Sequence, residues 1–166
     1  LRVVNWIKWS FSGNELNNTQ INSLTTQVRS LSKNLETHLL GNHLFANAKA
    51  LMFAGLFFHG DEASIWYKTG YKIISNELSE QILPDGGNFE LSTMYHSIIL
   101  EDLLDLFNLH QLYKINPPKG IEEIIQKMIK WLEAMCHPDG EISFFNDAAL
   151  NNTTSTKELI EYAKRL

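Results

Sequence analysis

The sequence predicts an all-α chain of helical hairpins, on three observations. Apolar residues recur at three- and four-residue steps along nearly the whole length, no segment alternates in the manner of a strand, and one turn is repeated a hairpin apart. The turn "LPDGG" at 83–87 returns as "HPDGE" at 137–141, an offset of 54 residues, which matches one helix pair with its connections. A repeat of that length means stacked helix pairs. An open solenoid and a closed α/α toroid both satisfy it.

Residues 19–39 place Ile21, Leu24, Val28, Leu31, Leu35 and Leu39 in one stripe on an otherwise polar helix. Gly41 interrupts the run, and Asn42 is placed to cap the next helix. The stretch "HLFANAKALMFAGLFFH" (43–59) is apolar nearly all round, with Ala46, Ala48, Ala50, Ala54 and Gly55 among large residues, so this helix is expected to be surrounded by others. Asp61 and Glu62 suit the positive end of a third helix, which runs to about Ile82 through Ile65, Trp66, Tyr67, Tyr71, Ile74 and Leu78. Pro84 stops it, and Asp85, Gly86 and Gly87 form the turn. Ser92 caps a helix over about 93–113 that buries Ile98, Ile99, Leu103, Leu106 and Leu109. Beyond the "INPPKG" loop, a helix over about 119–136 is built on Ile121, Ile124, Ile125, Met128, Trp131, Leu132 and Met135, and Pro138 ends it. A last segment from Thr156 to Leu166 is helical by pattern.

With 166 residues, 44% apolar and 20% charged, the chain can bury a core of ordinary size. A formal charge of −5 argues against a general nucleic-acid binder, which needs Lys and Arg to displace counterions from phosphates, and a polyanionic ligand would need local basic groups. The lone Cys136 cannot make an internal disulfide. No apolar run reaches membrane-spanning length, since "ALMFAGLFF" is short and bounded by Lys49 and His59. The chain starts at Leu1 without an initiator Met and ends in an amphipathic run. It is therefore expected to be a piece of a longer polypeptide, with any export signal upstream.

The repeat also aligns polar residues. Stepping 53 residues back from Tyr95 reaches Asn42, and stepping 54 forward reaches Ala149 beside "FFNDAA". Hairpins repeating at that interval would set Asn42 with His43, Tyr95 with His96, and Asn146 with Asp147 at equivalent heights around one groove. Plainer readings stand beside this one. Asn42 alone is most simply a cap, His38 and His43 are equally well structural histidines, and Tyr95 is equally well a packing aromatic. Asp85 and Asp139 read as turn formers, and the set Trp66, Tyr67 and Tyr71 reads as core. Glu90 either extends the Ser92 cap or enters the groove. A tyrosine, an amide and a histidine without a metal suit proton transfer at a carbon acid. Removing a proton beside a carboxylate builds charge on it that Asn and His can stabilise, while Tyr, protonated at neutral pH with a pKa of about 10, donates to the leaving oxygen.

The stretches "HLLGNHLFANAKALMFAGLFF" and "ELSEQILPDGGNFELSTMYHSIILEDLLDL", with "FFNDAA" after them, resemble the helical domain of the heparinase II/III-like polysaccharide lyases, from about Glu36 to Ala149. The resemblance implies that residues 1–166 form part of an incomplete (α/α) toroid, followed in the full-length protein by a β-sandwich domain absent from this chain. It implies β-elimination of a uronate-containing polysaccharide such as heparan sulfate, heparin or alginate, in a periplasmic or secreted bacterial protein. Through "GNH" and "STMYH" it assigns Asn42 and His43 to neutralising the uronate carboxylate and Tyr95 to the general acid. Glu90, His96, Asn146 and Asp147 become substrate contacts. The general base lies outside this chain, so the chain alone is expected to be nearly inactive. No cofactor or metal is expected, because the zinc of some relatives belongs to the sandwich domain.

Three alternatives remain. One is a non-catalytic carbohydrate-binding or surface-polysaccharide assembly protein, favoured by the acidic charge. Only Arg29, Lys33, Lys49, Lys68 and Lys72 offer cations on the expected groove side. Another is an inverting glycoside hydrolase using Glu90 with Asp147. The last is a helical-repeat interaction module.

Overall fold

A computed structural model describes residues 1–39 and 41–166. Among them seven helices succeed one another: α1 (Arg2–Phe11), α2 (Asn18–Lys33), α3 (Asn42–Phe57), α4 (Asp61–Gln81), α5 (Thr93–Tyr113), α6 (Ile121–Met135) and α7 (Thr156–Lys164). No strand occurs among the described residues, only isolated antiparallel bridges of Ile82 with Asn88 and Cys136 with Ile142. The all-α hairpin plan expected from the sequence is the observed one. No helix among the described residues is long and apolar enough to cross a membrane. The chain divides into two compact units, Leu1–Ile74 and Ser75–Leu166.

In the first unit α3 is buried on every side: Phe45 and all residues from Asn47 to Ala54 are buried, as its unbroken apolar pattern demands. Around it α1 contributes Val3, Val4 and Ile7, α2 contributes Leu24 and Val28, and α4 contributes Ala63, Trp66 and Ile74. Helices α3 and α4 approach closely through glycines. A Cβ on Gly55 would lie 2.5 Å from the Tyr67 nitrogen, and one on Gly70 would lie 2.6 Å from the Ala48 carbonyl oxygen.

The structure corrects three sequence expectations. Helix α1 was not expected; its buried strip is Val3, Val4 and Ile7 alone, too short to establish a period. Helix α2 stops at Lys33 instead of continuing to 39. Asn34 ends it by turning its Nδ2 onto the Ser30 carbonyl at 2.8 Å, an alternative to the helical ladder that Asn side chains offer. Finally, Asn42 is not the cap of α3. Gly41 holds that position with φ 83° and ψ −145°, a conformation open essentially to glycine alone, and Asn42 is the first helical residue.

In the second unit α6 and α7 both pack on α5, whose Leu100, Leu103, Leu104 and Leu106 form the core with Met128, Leu132 and Leu159. The repeat inferred from the two turns is geometrically real. Leu83 N–H donates to the Gly87 carbonyl at 2.8 Å and Gly86 N–H to that of Leu83 at 2.9 Å; 54 residues on, His137 N–H donates to Glu141 and Gly140 N–H to His137, both at 2.9 Å. The bridges 82–88 and 136–142 keep the same offset. Asp85 and Asp139 each accept the N–H two residues ahead at 3.0 Å, as turn formers do.

The two copies differ in what they touch. Gly86 (φ 95°) lies so close to α6 that a Cβ would sit 2.6 Å from the Lys127 backbone, whereas a Cβ on Gly140 (φ 88°) would meet nothing within 4 Å. Gly140→Ala is therefore expected to lose only about 1 kcal/mol, from the left-handed backbone. Gly86→Ala adds overpacking and is expected to lose about 3 kcal/mol, read as the difference in urea-unfolding free energy.

Candidate functional site

The first unit holds Asn42 and His43 in the opening turn of α3. Because Gly41 makes the cap, the Asn42 side chain is not spent on capping. The His43 imidazole is largely exposed, with Nδ1 at 3.7 Å from Glu36 Oε1. Glu36 is itself anchored. Its Oε2 accepts from Asn47 Nδ2 at 2.9 Å, and its backbone N–H donates to Asn47 Oδ1 at 3.1 Å. A neutral amide and an imidazole thus stand at the positive end of a helix, where an anion is favoured.

Two of the cations expected on this side are committed elsewhere. Arg29 forms a forked pair with Glu62, both bonds 2.7 Å, and that hydrogen bonding holds the Glu62 carboxyl below its usual range. Lys49 is buried, with Nζ 5.9 Å from the centre of the Phe53 ring. Of the aromatic set only Trp66 is core, buried edge-on to Phe58; Tyr67 and Tyr71 are half-buried and pack on each other, where burial first and the neighbouring phenol second push the Tyr67 pKa up to about 12.

The second unit brings residues 88–96 against residues 143–147. Ser92 caps α5 as expected, its Oγ accepting from the Tyr95 N–H at 3.4 Å. Tyr95 is half-buried in the first turn, and among the described residues no hydrogen bond engages its hydroxyl. Thr93 Oγ1 donates to the Ser143 carbonyl. Asn146, expected among the substrate contacts, is exposed and directs Nδ2 at two successive backbone carbonyls, Glu90 at 2.8 Å and Leu91 at 3.1 Å. Leu91 and Asn146 both have left-handed backbones, φ 53° and 52°, so the clamp spans two strained residues. Glu90 is half-buried, and Asp147 is exposed beside the clamp.

His96 departs from its expected role as a substrate contact, because it has no exposed surface. Its Nδ1 accepts from the Asn88 N–H at 3.3 Å, Nε2 lies 2.9 Å from the Met128 carbonyl, and the ring stacks on Trp131 at 4.5 Å and 26°. Those partners require the neutral tautomer protonated on Nε2. Burial, outweighing the Met128 carbonyl and the Asp85 charge, lowers its pKa to about 4. The sequence singles out neither Asn88 nor Ser143 and marks Trp131 only as a packing residue of its helix; nothing local shows their parts here, since each acts through a partner eight or more residues away.

A neutral His96 favoured in the fold contributes stability that is complete above about pH 6.5 and is lost as pH falls towards 4. Urea unfolding should therefore show up to about 3 kcal/mol of pH dependence over that interval that is missing in His96→Gln. Asn146→Ala, which loses two bonds to carbonyls and asks alanine for a left-handed backbone, is expected to cost about 1–2 kcal/mol. Asn146→Gly should cost less, because glycine accepts the backbone.

The family model described as Heparinase II/III N-terminus matches residues 9–166. A heparin-sulfate lyase of Bacteroides stercoris is 35% identical over 115 residues, covering 68% of this chain and 17% of that protein. A heparin-sulfate lyase of Pedobacter heparinus is 28% identical over 119 residues, covering 69% of this chain and 18% of that one. The chain thus spans about a sixth of these relatives' length. Among solved structures, that of heparinase III superposes with a TM-score of 0.74 over 95% of this chain and 26% of its own; at 23% identity it shows the fold alone, that of helical hairpins from an incomplete (α/α) toroid. The heparan sulfate lyase HepC of Pedobacter heparinus superposes with a TM-score of 0.63 at 27% identity, over 76% of this chain and 20% of its own. With the family model covering nearly its whole length and heparin-sulfate lyases as relatives, the chain belongs to the heparinase II/III family of polysaccharide lyases, within its N-terminal helical region.

Proposed function

We propose that this chain supplies the proton-donating and carboxylate-binding groups of a lyase that cleaves a uronate-containing polysaccharide by β-elimination. The observation that carries the reading is the state of Tyr95: its backbone is fixed by the Ser92 cap, while no described hydrogen bond consumes its hydroxyl. The likeness to heparin-sulfate lyases supplies the substrate class. In the reaction, a base removes the proton beside the uronate carboxylate, and charge moves onto that carboxylate. The bond to the leaving oxygen breaks, and Tyr95 gives that oxygen its phenolic proton, leaving an unsaturated sugar. Asn42 and His43, at the positive end of α3, offset the carboxylate charge. Glu90 and Asp147 are proposed to contact sugar hydroxyls.

The base comes from the remainder of the polypeptide, with which a β-sandwich domain is expected. Residues 1–166 therefore act as the helical part of the enzyme, with little or no turnover alone. The pairing of Arg29 with Glu62 and the burial of Lys49 leave few cations for sulfates, which favours a polymer of low sulfation. The same scarcity is the point in favour of a non-catalytic carbohydrate-binding protein on this scaffold.

The full-length polypeptide carrying this chain is to be incubated with unsulfated and sulfated heparan-type polymers and with alginate, monitoring the ultraviolet absorbance of the unsaturated product. Tyr95→Phe and Asn42→Ala are each expected to reduce kcat by about 100-fold or more on the polymer that is cleaved. Equal rates in all three proteins would remove these assignments, and binding without product would select the non-catalytic reading.

A further inference from the structure

A groove of about 420 Å³ lies on the first unit, lined by Asn5, Trp6 and Trp9 of α1 with Leu16 and Gln20. Nothing in the elimination chemistry uses it. Its lining combines two indoles and two primary amides without a charged side chain. Trp9 is 46% exposed although an indole normally covers most of its surface.

The lining is held in place before any ligand arrives. The carbonyl of Trp9 accepts from Ser12 Oγ at 2.7 Å and Asn14 Nδ2 at 2.9 Å, which fixes the end of α1. Gln20 belongs to the capping box of α2. Its Oε1 accepts from the Asn17 N–H at 2.9 Å, and its own N–H donates to Asn17 Oδ1 at 2.9 Å. The cap uses the Gln20 oxygen, and among the described residues no hydrogen bond takes its NH2 group or the Asn5 amide.

We propose that this groove binds an uncharged pyranose, such as an N-acetylhexosamine unit of a polysaccharide. Indole faces attract the C–H face of a pyranose ring, and primary amides both donate to and accept from hydroxyl and acetamido groups. A carboxylate or sulfate would lose hydration there without gaining a counter-charge. The proposal goes beyond the lyase reading and does not need turnover.

The test uses the 166-residue chain, labelled with 15N, and methyl N-acetyl-β-glucosaminide as the probe. Of the four tryptophan indole N–H signals, those of Trp6 and Trp9 are expected to move with a Kd of about 1 mM while Trp66 and Trp131 stay still. Trp9→Ala should weaken binding by about tenfold or more. Gln20→Glu keeps the cap acceptor, so the fold is preserved, and its added charge should weaken binding by about threefold.

Signals that do not respond at about ten times that concentration, or glucuronate or sulfate binding as tightly as the neutral sugar, would overturn the proposal. In the full-length polypeptide, a Trp9 that is shielded from acrylamide and indifferent to the sugar would instead make the groove an internal interface, and that result also overturns it. Tyr95→Phe should titrate like the unaltered chain whether or not the elimination reading holds, so the two claims fail separately.

Discussion

His96 is shut away from water, so both of its ring nitrogens have to be satisfied by protein. They are satisfied by two separate pieces of chain: the Asn88 N–H, just past the Pro-Asp-Gly-Gly turn, and the Met128 carbonyl, inside α6. The ring face then stacks on Trp131, which also crowds Gly87 of the same turn. One neutral imidazole therefore joins the turn, the start of α5 and the middle of α6. Protonating it would set a second N–H against the Asn88 N–H in a dry site, which is why burial holds its pKa near 4.

Tyr95 immediately precedes His96 and gains its placement from that lock. Its backbone is tied to Ser92, the adjoining ring of His96 is buried, and the segment before it is held by Asn146 at Glu90 and Leu91. The left-handed Leu91 is held by the clamp on the two carbonyls that flank its Cα, those of Glu90 and Leu91. Under the proposed function, a proton donor at Tyr95 would benefit from so fixed a backbone, because the geometry need not be assembled during the reaction. Asn42 and His43 are prepared differently, by a glycine cap that frees the amide and by the Glu36–Asn47 pair beneath the imidazole.

Helix positions were legible because burial imposes a period: α5 was read as 93–113 and is Thr93–Tyr113, and the surrounded character of α3 was visible in its unbroken apolar run. The repeat was legible because Pro-Asp-Gly carries its own turn chemistry, and its hydrogen bonds recur 54 residues apart. The early end of α2 and the cap of α3 were misread where a local polar or glycine conformation overrode the apolar pattern, at Asn34 and Gly41. At the candidate site, the family resemblance assigned a role to Tyr95. The structural duties of His96 and Asn146 were hidden, because their partners lie 8 to 56 residues away and a polar residue near a site looks the same whether it faces ligand or backbone.

The most direct measurement of this arrangement is a pH titration of the His96 ring by heteronuclear NMR on the 166-residue chain. The predicted result is a neutral ring protonated on Nε2, with an exchange-protected N–H, that does not titrate until about pH 4. A ring that titrates near 6.5 with a rapidly exchanging N–H would place His96 in water and contradict the buried lock on which the position of Tyr95 depends.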